Sequence, residues 1–139
     1  MSELSRRIEV IEAGYEYLLA YAAQGRQDDA GTPVRETLSG MRDALTGLGE
    51  LVRAAVAESS PDAATAAAKF IDAVDRDAAV AAAAIALVLD RAAISSLLID
   101  NLNASIHLRA LLTDLFLVDQ ALKAPSSSRG GPSPADRAP

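Results

Sequence analysis

The chain contains no cysteine and no tryptophan, a single histidine and two lysines. Without thiols it can form no disulfide, thiolate zinc site, iron–sulfur cluster or cysteine nucleophile. One histidine excludes zinc sites built on paired histidines and di-iron bundles, which need a Glu-x-x-His motif on each of two helices. No cofactor, metal ligand or catalytic residue is therefore expected. Aromatic residues make up only 4% of the chain, too few for a base-stacking platform, and the net charge of −6 with scattered basic residues argues against a phosphate-binding surface. No nucleic-acid partner is expected. Long apolar runs are also missing. The longest, Ala78 to Leu89, has 12 residues and is mostly alanine, short of the roughly 20 that span a bilayer, so no membrane span is expected. Residues 1 to 7 lead into a segment carrying Glu9, Glu12 and Glu16, not the apolar core of a secretory signal. These absences point to the cytoplasm. Arginine outnumbers lysine in an alanine-rich composition, which suggests a bacterial source.

What the chain has in abundance is helical grammar. Half of its 139 residues are apolar, enough for one domain to bury a core. Leu4, Ile8, Ile11, Tyr15, Leu18 and Ala22 follow the 4-3-4-3-4 spacing of a bundle seam, which predicts a first helix from about residue 3 to 23. Gln24 to Thr32 carries Gly25, Asp28, Asp29 and Gly31 and reads as a loop. Thr32-Pro33 is a good N-cap and first-turn pair for a second helix, whose stripe of Val34, Leu38, Met41, Leu45, Leu48 and Val52 extends to about Glu58. Gly40, Gly47 and Gly49 weaken that helix, and close approach of a neighbour is the expected reason.

Ser59-Ser60-Pro61 stops one helix and caps the next. From Asp62 to Ala124 there is neither glycine nor proline. One stripe runs from Ala64 through Ile71, Val74, Ala78, Ala81, Ile85, Val88 and Ile99 to Ile106, and a shifted one through Leu108, Leu111, Leu115, Val118 and Leu122. The phase shift at Asp100–Asn103 marks the expected break, with Asp75-Arg76-Asp77 a second candidate. Whether 61–106 is one helix or two stays open at this stage. Residues 125–139 hold four of the six prolines and no bulky apolar side chain, so a disordered tail is expected after a helical domain over 1–124.

Few residues suggest chemistry. His107, in Ile106-His107-Leu108-Arg109-Ala110, is a lone histidine on a helix, and in size, acidity and helical class the chain resembles histidine phosphotransfer domains. That resemblance implies His107 as phosphoryl acceptor with Arg109 as its basic partner. The family's lysine and small residue after the histidine are not matched, and a histidine at the edge of an apolar stripe is ordinarily a rim residue. Glu9, Glu12 and Glu16 share one face and read as a solvated row. Leu4-Ser5-Arg6-Arg7-Ile8, Leu18-Leu19 and Pro33-Val34-Arg35-Glu36 resemble the first helix and turn of all-helical chorismate mutases. That would imply a dicarboxylate substrate held by converging cations, but the family's lysine before the Pro-Val turn has no counterpart in Gln27-Asp28-Asp29. Tyr15, Tyr17 and Tyr21 cluster on the first helix, with Tyr17 and Tyr21 off the core stripe, and are candidate interface residues.

The expectation is thus an all-α, antiparallel bundle of four or five helices. It should be homodimeric because the 61–106 stripe outruns its neighbours, the alternative being that the stripe breaks near 76 or 90 and folds back within the chain. Functionally it reads as a small non-enzymatic interaction protein for an unknown protein partner: an adaptor, an assembly factor or a secretion-chaperone-like bundle. The alternatives are a signalling bundle using His107 or a chorismate-mutase-like enzyme.

Overall fold

The computed structural model describes residues 2–125, and of Ile106 and His107 only the backbone. The tail expected over 125–139 lies outside the described residues from 126 on. All regular structure among the described residues is helical: α1 (Glu3–Ala22), α2 (Val34–Leu45), α3 (Leu48–Ser59), α4 (Pro61–Ala66), α5 (Ala68–Leu89), α6 (Ser96–Ala104) and α7 (Ile106–Lys123). None of these helices is long and apolar enough to cross a membrane.

α1 and α5 each lie between the α2/α3 pair on one side and the α6/α7 pair on the other. Side-chain contacts fix the directions. Arg35 at the start of α2 reaches Leu89 at the end of α5, while Arg53 in α3 reaches Asp72 near the start of α5. Asn103 of α6 meets Leu18 of α1, and Ser96 meets Tyr21, so α6 also runs against α1. Neighbouring rods are antiparallel. The core between them is continuous and apolar, with Ile11, Leu18, Leu38, Met41, Leu48, Ile71, Ile85, Ile94, Ile99 and Leu111 all shut off from solvent.

The break at Ser59-Ser60-Pro61 falls where the sequence puts it, and others do not. The second helix does not run unbroken to Glu58: Thr46 is extended and Gly47 sits at φ +71°, a left-handed conformation that glycine adopts without steric penalty. The kink keeps Leu45 and Leu48 both in the core. Gly49 is the position where a neighbour comes close, since a Cβ there would lie 2.3 Å from the Asp75 Cβ, whereas Gly40 faces open space. α5 passes through Asp75-Arg76-Asp77 without interruption. The 61–106 stripe is cut instead at Ala67 and over 90–95, and the chain folds back there, with Ser95 capping α6 by accepting from the Leu98 N–H at 3.0 Å. The last helix starts at Ile106, after extended Ser105, because Asn103 still belongs to α6 and donates its side-chain amide to the Leu18 carbonyl at 3.0 Å.

Candidate functional site

Two ends of the molecule carry the features from which a site could be built. At the first, the loop after α1 and the turn after α5 are laced together. Tyr21 is wholly buried, and its hydroxyl donates to the carbonyls of Ile94 at 2.6 Å and Asp28 at 3.2 Å. Burial raises its pKa, because the phenolate would have to shed its water. Ser96 donates to the Tyr21 carbonyl at 2.7 Å and accepts from the Arg26 N–H at 2.8 Å. Asp29 accepts from Arg35 at 2.7 Å through one oxygen and from the Ile94 N–H at 2.9 Å through the other. The Arg35 guanidinium also donates to the carbonyls of Leu89, Arg91 and Ala92, which α5 leaves without helical partners. Held by Arg35 first and Ile94 second, the Asp29 carboxyl lies below its ordinary pKa. This end is a structural clasp in which each of these polar groups already has a partner within the chain.

The other end is open. A cleft of about 570 Å³ lies between the first turn of α1, the end of α3 and the end of α7, lined by Leu4, Leu51, Ala54, Ala55 and Leu122 with Glu3, Glu58, Asp119 and Lys123 at its rim. A second, about 430 Å³, is lined by Val56, Ala63, Ala67, Phe70, Leu117 and Leu122, and shares Ser59 and Leu122 with the first. The walls are mainly apolar, and charges border only the first. Glu3 pairs with Arg6 and Arg7, and Asp119 with Lys123 at 2.8 Å, so among the described residues no acid and base converge here on a reacting position. Beside this end, Phe116 stands 42% exposed at a seam with Glu9, Glu12 and Asp119.

The residues singled out from sequence fare differently. Tyr21, expected off the core stripe, is one of the most buried side chains, because the loop over 24–32 and the turn over 90–95 close on it and each gives its hydroxyl an acceptor. It is withdrawn as a surface residue. Tyr15 and Tyr17 are partly buried and pack against the core, with the Tyr17 ring 6.2 Å from that of Tyr21. Gly14 takes the core position expected for Tyr15, since Met41 lies against it. Arg109 is exposed on α7 and makes no ion pair among the described residues. His107 lies in the first turn of α7, and its side chain is outside the description. Arg6 and Arg7 share Glu3, while Arg35 and Arg53 are engaged with Asp29 and Asp72 at two other places, so the four do not converge as the cation cluster that a dicarboxylate substrate needs.

Two features were not legible in the spacing. Asp114 faces Asp77 across the α5/α7 contact, and burial first, then the Asp77 charge, raises its pKa. Asn103 is 7% exposed and leaves its side-chain oxygen buried without a partner. Among the described residues, no three acidic or histidine side chains come together as a metal site. In comparisons with protein-family models, with curated proteins and with solved structures, the chain matches none.

Proposed function

We propose that this chain is a small, non-enzymatic interaction protein of the cytoplasm, a self-associating bundle of four antiparallel rods that holds an apolar segment of a second protein at its open end. The observation that carries this reading is the pair of adjoining, mainly apolar clefts beside α7, joined at Ser59 and Leu122, the first bordered by charges and the second lined by none. Apolar walls with a polar border are how helix-binding grooves take up an amphipathic segment. The opposite end supports the same reading by elimination, because its polar groups hold the fold together.

Leu122 belongs to both clefts, so Leu122→Glu places a charge in each. Copurification from the native host with mass spectrometry should recover a set of proteins on the wild-type chain that is lost on Leu122→Glu and kept on Leu97→Glu, a change on exposed α6 surface. Circular dichroism must show equal helicity for the three. Identical sets on all three would refute the role of the clefts.

A further inference from the structure

The outer side of α5 is set apart by a run without charge, although single apolar side chains are exposed on α1, α6 and α7 as well. A bundle helix normally sets an apolar stripe against the core and charges toward water, and a helix that is apolar all round is a buried one. From Ala78 to Leu89, α5 carries no charged residue. Its core stripe of Ile71, Val74, Ala78, Ala81, Ile85 and Val88 is buried as expected. On the opposite side, however, Ala79, Val80, Ala83, Ala86 and Leu87 are all exposed, Leu87 at 65%. α1, in contrast, turns Glu9, Glu12 and Glu16 outward.

The exposed side is ordered as a second seam. Arg76, Val80, Ala83, Leu87 and Asp90 follow a 4-3-4-3 spacing, the repeat of a helix that packs against another along its length. Its ends carry opposite charges, and both lie seven residues from Ala83, about two helical turns. Arg76 has no ion pair among the described residues, and Asp90, with its side chain 71% exposed, meets only the adjacent Arg91. We propose that two copies of this chain associate through the outer faces of their α5 helices, antiparallel about a two-fold axis passing near Ala83, so that Arg76 of each copy meets Asp90 of the other.

The symmetry selects a second copy over an unrelated helix. An antiparallel pairing about Ala83 brings plus to minus at both ends at once, and a parallel pairing would set Arg76 on Arg76 and Asp90 on Asp90. Alanine at the crossing lets the axes approach to about 8 Å, which brings Val80 and Leu87 of each copy onto the small residues of the other. About four turns of helix make a small interface, so the dimer should be weak, with a Kd of ~1 to ~100 μM. The inference rests on the reading of the chain as self-associating and specifies the surface.

The absence of cysteine from the chain makes the test direct. Ala83→Cys places a thiol beside its own symmetry mate, within reach of a disulfide, whereas Ala13→Cys puts one on the exposed side of α1. Under mild oxidation Ala83→Cys should form a covalent dimer in high yield and Ala13→Cys should not. In sedimentation equilibrium from ~1 μM to ~1 mM, Leu87→Glu should remain monomeric with unchanged helicity. Arg76→Asp should weaken the dimer roughly three- to tenfold, and adding Asp90→Arg should restore it. A wild-type dimer that resists Leu87→Glu and fails to cross-link at Ala83→Cys overturns this interface and leaves self-association standing. A wild-type monomer over the whole range overturns both.

Discussion

One end of the molecule is tied and the other is open, and the difference lies in where the polar groups are spent. At the tied end Tyr21, Asp29 and Arg35 direct donors and acceptors into backbone that would otherwise be orphaned where α5 stops and α6 starts, and Ser96 ties the start of α6 to the Tyr21 carbonyl at the end of α1. At the open end α3, α4 and α7 finish around aliphatic side chains, and the ion pairs stand at the rim between near neighbours in sequence. The first arrangement makes a unique turn out of a loop, because most of these bonds join residues more than fifty positions apart in the chain. The second leaves apolar area without a cover, which is what a binding surface needs.

Substitutions can break or sharpen that contrast. The largest effect should come from Ile94→Ala, which opens a cavity under the clasp, since Ile94 is wholly buried although it sits in a turn. It should lower the unfolding free energy in urea by about 2–5 kcal/mol. Tyr21→Phe removes only the hydroxyl and leaves the Ile94 carbonyl short of its donor, so a loss of about 1–2 kcal/mol is expected. It should also remove part of the alkaline limb. The raised folded-state pKa of Tyr21 means that its contribution is whole below the unfolded value near ~10 and is lost as pH rises beyond it.

Asp29→Asn tests the ionic part of the clasp, and the sign is opposite. The folded-state pKa is lowered, so the contribution of Asp29 is present above the unfolded value of ~3.9 and is lost as pH falls through the folded one. The melting temperature of the variant should lie below wild type at pH 7, with the gap narrowing in acid. Asp114→Asn should do the reverse. Raised by burial and by Asp77, the carboxyl of Asp114 disfavours the fold when charged, so the variant should melt higher than wild type at pH 7. That gain should shrink as pH falls from the raised folded value toward ~3.9. The smallest effect belongs to the open end: Leu117→Ala, at a side chain 58% exposed, should change unfolding free energy by less than about 0.5 kcal/mol. A larger loss there would show that the cleft wall is part of the core.

Much of the core could be read from spacing. Leu4, Ile8, Ile11 and Leu18 in α1, Val34, Leu38 and Met41 in α2, and Leu111, Leu115 and Val118 in α7 are buried where the stripes put them. The loop over 24–32 and the stop at Ser59-Ser60-Pro61 were legible too, but the kink at Gly47 and the cause of the fold-back over 90–95 were not. Gly47 looks in sequence like Gly40 and Gly49, yet only Gly47 turns the helix, Gly49 gives room to Asp75, and Gly40 touches nothing. The fold-back over 90–95 lacks glycine and proline altogether. Its cause lies in Asp29 and Arg35, more than fifty residues earlier, which bind the Ile94 N–H and the last carbonyls of α5.

The candidate site divides in the same way. Leu122 belongs to a recognisable stripe, but that it borders two clefts depends on how α3 and α4 end beside α7. Tyr21 illustrates the opposite error: helical phase alone sets it off the seam, and the returning loop and the turn over 90–95 bury it.

The sequence by itself determined that this chain is helical and which face of each helix seeks an apolar neighbour, because both follow from periodicity within a few turns. Only the tertiary structure decided where the rods end, which end is clasped, and that the outer side of α5 stays uncovered. Those outcomes depend on hydrogen bonds and packing between residues far apart in the chain, and local spacing carries no record of such partners.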